Sequence, residues 1–234
     1  MKPEHGPDHW AHAQRGRTAT HALRMGSIAG VEIDLDWSLL IVFALITLAL
    51  SAGVLPQWHA DWGQTKVLLT AIAAATLFVA SILLHELAHA VVGQRFGVRI
   101  SRITLFVFGG MARMEGEPKT WRAEFWMALA GPVASLALGL LFLSLAGMIA
   151  GPIEFNPEQP AAGLARLGPI ATVLIWLGPV NIVLGLFNLV PGFPLDGGRV
   201  LRALLWGLTG DLTRSTMLAA SVGQAFGWML MAMG

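Results

Sequence analysis

The 234-residue chain contains no cysteine. Disulfides are thereby excluded, and so are thiolate ligands, which leaves His, Asp and Glu as the candidates for a zinc shell. Charge is scarce as well: Asp, Glu, Lys and Arg make up 12% of the residues, against about 25% in soluble domains. The net charge of +1 gives no reason to expect nucleic-acid binding. Residues 1 to 30 hold scattered His, Arg and Gly with no apolar core, so no secretory signal is expected and the first membrane segment should be an uncleaved anchor.

Apolar sequence is what the chain has in abundance, with 55% hydrophobic residues and a mean hydropathy of +0.65. Five apolar segments, 37–55, 66–96, 121–150, 168–190 and 212–234, each reach the roughly 20 residues that span a bilayer core. The fourth breaks at Asn188-Leu-Val-Pro191-Gly-Phe-Pro194-Leu-Asp196-Gly197-Gly198, then resumes a helical pattern to residue 208. Irregular backbone at such depth is tolerated only where it lines a cavity. The expected fold is an all-α polytopic membrane protein with a small β-hairpin at 100–116, where β-branched and aromatic residues are interrupted by Gly109-Gly110. Residues 1–36 form an N-terminal cytosolic segment whose first part is flexible, including the His5, His9 and His12 spacing, and whose 25–36 stretch reads as a short half-exposed strand. Residues 37–234 form the membrane domain.

Lys and Arg numbers in the parts between the segments run 4, 1, 6, 1 and 3, which accounts for all 15. This alternation places the N-terminus in the cytosol. Segment two then runs inward, and its polar cluster lies about 16 Å of helix before the cytosolic end.

That cluster is Ser81-Ile-Leu-Leu-His85-Glu86-Leu-Ala-His89. Residues four apart share a helix face, so His85 and His89 can converge on one metal ion while the Glu86 carboxylate reaches a water bound there. Buried in an apolar helix without partners, these side chains would be costly, so a functional role is the better reading. A catalytic zinc site has three protein ligands. With the other histidines in the tail or at His59, the third should be a carboxylate. Glu124, at the start of segment three, reads as interfacial, and Asp196 remains, either as ligand or as the N-cap of a helix over 197–208. Asn188 is polar at membrane depth and binds substrate backbone, supports an oxyanion, or makes a structural hydrogen bond. The 100–116 hairpin, with Phe108, Gly109 and Gly110, is a candidate to hold an extended substrate by strand addition or to serve structurally. Small residues in Ala128-x-Ala130-Gly131-Pro132 favour close helix packing.

Together, His85-Glu86-x-x-His89, Phe108-Gly109-Gly110, Ala128-x-Ala130-Gly131-Pro132 and Asn188-x-x-Pro191-x-x-Pro194-Leu-Asp196-Gly197-Gly198 resemble the site-2 protease family of intramembrane zinc metalloproteases, over residues 25 to 234. The resemblance is to the branch that often carries C-terminal CBS domains. It implies one zinc ion held by His85, His89 and Asp196, with Glu86 as general base. It implies cleavage of a transmembrane protein substrate near its cytosolic side, commonly an anti-sigma factor or another membrane-tethered regulator, in the cell membrane of a prokaryote: regulated intramembrane proteolysis. It also implies a sixth membrane segment and CBS domains beyond residue 234, so that the domain is expected to be truncated at its C-terminus. A homo-oligomer is left open. The alternative from another class is a metal or proton transporter using the same His, Glu and Asp cluster as an ion site.

Overall fold

The computed structural model describes residues 22–107, 109–151 and 160–233. The expectations for the tail and for Phe108 lie outside them. In chain order come β1 (Ala22–Ile28), β2 (Val31–Asp36), α1 (Ser38–Ala49), a π-helical turn (Leu50–Val54), α2 (Leu55–Trp58), α3 (Gln64–Arg95), β3 (Arg99–Phe106), β4 (Gly109–Glu115), α4 (Trp121–Ala150), α5 (Pro160–Ala165), α6 (Pro169–Asn188), α7 (Asp196–Thr209) and α8 (Leu212–Met233).

Among the described residues, five helical spans are long and apolar enough to cross a membrane: Ser38–Trp58, Gln64–Arg95, Trp121–Ala150, Pro169–Asn188 and Leu212–Met233. They expose Leu45, Leu69, Leu140 and Val183, which suits helices whose outer faces meet lipid rather than water. Local chemistry sets their ends. The Thr120 hydroxyl accepts from the Ala123 amide at the start of α4, Pro169 opens α6, and Gly151 closes α4 at φ 69°. The chain is thus a multi-pass membrane protein, as its composition implies.

The strand content is larger than the sequence suggests. Residues 25–36, expected as one strand, belong to a hairpin in which Ala29 (φ 52°) and Gly30 (φ 77°) make the turn between β1 and β2. Such turns are signalled by Asn-Gly or Asp-Gly, and Ala in this conformation gives no warning. The β3–β4 hairpin forms where expected. β2 then pairs in parallel with β3, giving one sheet in the order β1-β2-β3-β4, with β4 at an edge. Val31, Ile33, Ile100, Ile103 and Leu105 of the sheet pack with Leu87 and Ala90 of α3 and Met127 of α4. The sheet is therefore seated on the helix turns that carry the His-Glu-x-x-His cluster.

A second core gathers Leu50, Leu55, Val67, Ala71, Ala74, Val173 and Leu177 where α2 gives way to α3 and α6 begins. His59, expected in a loop, is fully buried there. Its ring stacks on Trp62 at 3.8 Å and its Nε2 lies 2.9 Å from Thr172 Oγ1. Burial pushes its pKa below the ordinary histidine value, against the raising influence of the Ala165 backbone and Asp61. A depressed histidine favours the neutral native form, so its contribution to stability is present above about pH 6.5, the unfolded value, and fades as pH falls below it. The melting temperature in detergent should drop between about pH 7.5 and about pH 5.5, and drop less in His59→Gln. An equal drop in both proteins would place the sensitivity elsewhere.

Candidate metal centre

His85 and His89 project from α3 one turn apart, both buried. The break after Asn188 ends α6 and lets α7 start at Asp196, whose carboxylate meets them. Asp196 Oδ2 is 3.1 Å from Nε2 of His85 and 3.1 Å from Nε2 of His89, and the two Nε2 atoms are 3.1 Å apart. Asp196 makes no side-chain cap bond on α7, whose N-cap position is Leu195. The capping alternative is thereby set aside.

These three atoms form a nearly equilateral triangle. Zinc–ligand bonds near 2.0–2.1 Å in a tetrahedron imply ligand–ligand edges of about 3.3 Å, so the donor set fits one zinc ion. The far ring nitrogens are anchored. His89 Nδ1 lies 2.7 Å from the Met127 carbonyl oxygen, and His85 Nδ1 lies 2.9 Å from Ser135 Oγ. A carbonyl only accepts, so His89 Nδ1 carries the proton and its Nε2 turns a lone pair into the triangle. The lone pair of His89 Nε2 and the Asp196 carboxylate oxygen, 3.1 Å apart, repel one another unless a proton or a metal cation lies between them.

Gly131 of α4 faces the same atoms. A Cβ there would sit 2.2 Å from His89 Nε2 and 2.6 Å from His85 Nε2. The small-residue motif thus packs α4 on α3 as expected, but at this level its main effect is to leave the space before both imidazoles clear. Gly110 of β4 plays the same part for Glu86, where a Cβ would be 2.3 Å from Glu86 Cγ. The Gly110 backbone amide donates to the Glu86 carboxylate, which fixes that side chain between the sheet edge and the histidines.

A cavity of about 630 Å³ joins these parts: His85, Glu86, His89 and Asp196, then Gly109, Gly110 and Met111 of β4, and Asn188 and Arg199. Asn188 donates from Nδ2 to the Leu184 carbonyl at 2.9 Å, a structural hydrogen bond that leaves its Oδ1 for other partners. Glu124, expected at the interface, does not face outward from the protein. It is buried and paired with Arg202 of α7, whose Nε donates at 2.7 Å and whose Nη2 also contacts the same oxygen. Sitting in the first turn of α4, the Glu124 carboxylate also suits the positive end of that helix. The pair clamps α7, and with it Asp196, against α4. Sequence reasoning missed this clamp together with Ser135 and the Met127 carbonyl. Ser135 carried a usable signal, being a polar side chain one turn beyond Gly131 in a largely apolar helix.

A protein-family model described as Peptidase family M50 matches residues 73–151 and 145–230. The chain belongs to this family. Among its relatives, the zinc metalloprotease Rip3 of Mycobacterium tuberculosis is 41% identical over 213 residues, covering 91% of this chain and 51% of Rip3. The zinc metalloprotease sll0528 of Synechocystis is 37% identical over 222 residues, or 94% of this chain and 53% of that protein. Zinc metalloprotease MJ0392 of Methanocaldococcus jannaschii is 31% identical over 214 residues, or 92% of this chain and 54% of that one. The chain spans about half the length of each of these relatives. Among solved structures, the site-2 protease from Methanocaldococcus jannaschii superposes with a TM-score of 0.55 at 29% identity, covering 92% of this chain and 85% of that one. The site-2 protease resemblance read from the motifs is therefore shown. M50 relatives named as zinc metalloproteases favour the peptidase over the transporter alternative.

Proposed function

We propose that this M50 chain is a zinc-dependent intramembrane endopeptidase acting on transmembrane segments of membrane-tethered regulatory proteins, of the anti-sigma-factor kind, near their cytosolic side. The observation that carries the reading is the His85, His89 and Asp196 triangle opening, with Glu86, into a cavity that also takes in the free edge of β4.

His85, His89 and Asp196 hold the metal. Zinc, when bound there, supplies a Lewis acid and lowers the pKa of a water toward about 7. Glu86 would act as the general base, taking a proton from the water that attacks the scissile carbonyl and returning it to the departing amine nitrogen. The Gly110 amide keeps the Glu86 carboxylate aimed during both transfers. A helical substrate has no free backbone groups to offer, so a segment must unwind, and β4 receives the unwound piece as an added strand. Asn188 contributes its Oδ1 or its second amide hydrogen to that piece. Basic residues on alternate connecting segments support a cytosolic N-terminus, with the site in the membrane toward the cytosol.

The test is metal removal. Detergent-purified protein should contain about one zinc per chain and cleave a transmembrane-helix substrate; chelation should abolish cleavage and added zinc restore it. Cleavage that persists in fully stripped protein would overturn the proposal.

A further inference from the structure

β4 packs on β3 and α3, whereas α7 packs on α4 and α8. Both elements line the cavity, so α7 provides a wall distinct from the one β4 makes. This division matters for an extended substrate. A strand added to β4 turns the N–H and C=O groups of alternate residues toward β4, and those of the intervening residues away from it. In a cavity at membrane depth, the groups turned away also need partners.

Arg199 lies three residues after Asp196, about one turn along α7, and lines the same cavity. It is half-buried. Its neighbour Arg202 is committed to Glu124. Arg199 has no hydrogen bond and no ion pair among the described residues, although Glu124, Asp196 and Glu86 are close enough for their charges to act on it. A guanidinium offers five N–H donors in a planar fork and accepts nothing. Set in a cavity wall with its donors open, such a group calls for acceptor oxygens, and peptide carbonyls are the acceptors that an added strand presents.

We propose that Arg199 is a substrate-binding residue whose guanidinium donates to backbone carbonyl oxygens of the extended substrate segment that β4 leaves unpaired. The ligand is a peptide backbone, so this contact is indifferent to substrate side chains. The inference rests on the peptidase reading above.

A binding measurement separates the two. In the Glu86→Gln background, a fluorescently labelled single-span peptide is titrated onto the full chain in detergent, with and without Arg199→Met or Arg199→Lys. Charge-assisted hydrogen bonds of this kind convert to about a tenfold or greater change in affinity. Arg199→Met should therefore weaken capture at least about tenfold, with Lys recovering part of it. In the otherwise wild-type chain, Arg199→Met should raise KM by a similar factor and leave kcat, zinc content and melting temperature close to wild type. Unchanged capture, or an unchanged KM with a displaced pH profile, would make Arg199 a charge balance for Glu86 and overturn the proposal. Loss of zinc or of thermal stability in both Arg199 variants would make the role structural and overturn it as well. If the wild type cleaves nothing and the Glu86→Gln protein captures nothing, the peptidase reading falls and takes this inference with it. Cleavage by the wild type with capture unaffected by Arg199 removes this inference alone.

Discussion

Replacing Glu86 by Gln is expected to leave zinc bound at about one ion per chain while turnover falls by about 10²–10⁴-fold, the usual contribution of a positioned general base. The metal should stay because the proposed ligand atoms are His85 Nε2, His89 Nε2 and Asp196 Oδ2. The fold should stay because Gln matches Glu in shape, and its amide oxygen can still accept from the Gly110 amide. What disappears is the ability to take a proton from water and return it to the amine. Elemental analysis beside a cleavage assay reads both halves. Equal cleavage by wild type and variant would remove Glu86 from the mechanism, and loss of zinc would recast it as a ligand.

Adding one methyl group at Gly131 should do the reverse, emptying the centre while the base remains. The Cβ that Gly131→Ala introduces would stand 2.2 Å from one ligand nitrogen and 2.6 Å from the other. Neither ring can simply swing aside, since His89 is held at the Met127 carbonyl and His85 at Ser135. Disturbing the partners that orient metal ligands costs about 10–100-fold in affinity, and a methyl placed among the donor atoms should cost at least that. Zinc titration of the purified variant is the measurement, with melting temperature as the check on folding. Wild-type zinc affinity in Gly131→Ala would mean that α4 does not approach the imidazoles as described.

Much of this was legible in the chain. Length and hydropathy marked the five spans because a bilayer imposes one dimension on every crossing helix. Helical periodicity put His85 and His89 on one face, and the scarcity of other ligands singled out Asp196 over a distance of 111 residues. The parts that escaped are those for which the chain pattern is degenerate. Glu124 stands at the start of an apolar helix, and nothing local distinguishes a carboxylate in the headgroups from one clamped by an arginine 78 residues away. Ala29 adopts a conformation that usually belongs to Gly or Asn, so the first hairpin left no turn signature. The parallel pairing of β2 with β3 joins strands separated by two spans, and no local rule anticipates it. The Met127 contact involves a backbone carbonyl, which any residue would have supplied.

That parallel pairing has a consequence for how the chain enters the bilayer. β2 and β3 belong to one ladder, running from Glu32 opposite Arg102 to Leu35 opposite Leu105, and two crossing helices lie between them. The strands meet only when the number of intervening crossings is even. A nascent chain in which one of the two helices failed to insert would leave the strands on opposite faces of the membrane, unable to join. Closure of the sheet is thus a parity check on insertion. The strand edge beside Glu86 gains its full support only in chains that have passed it.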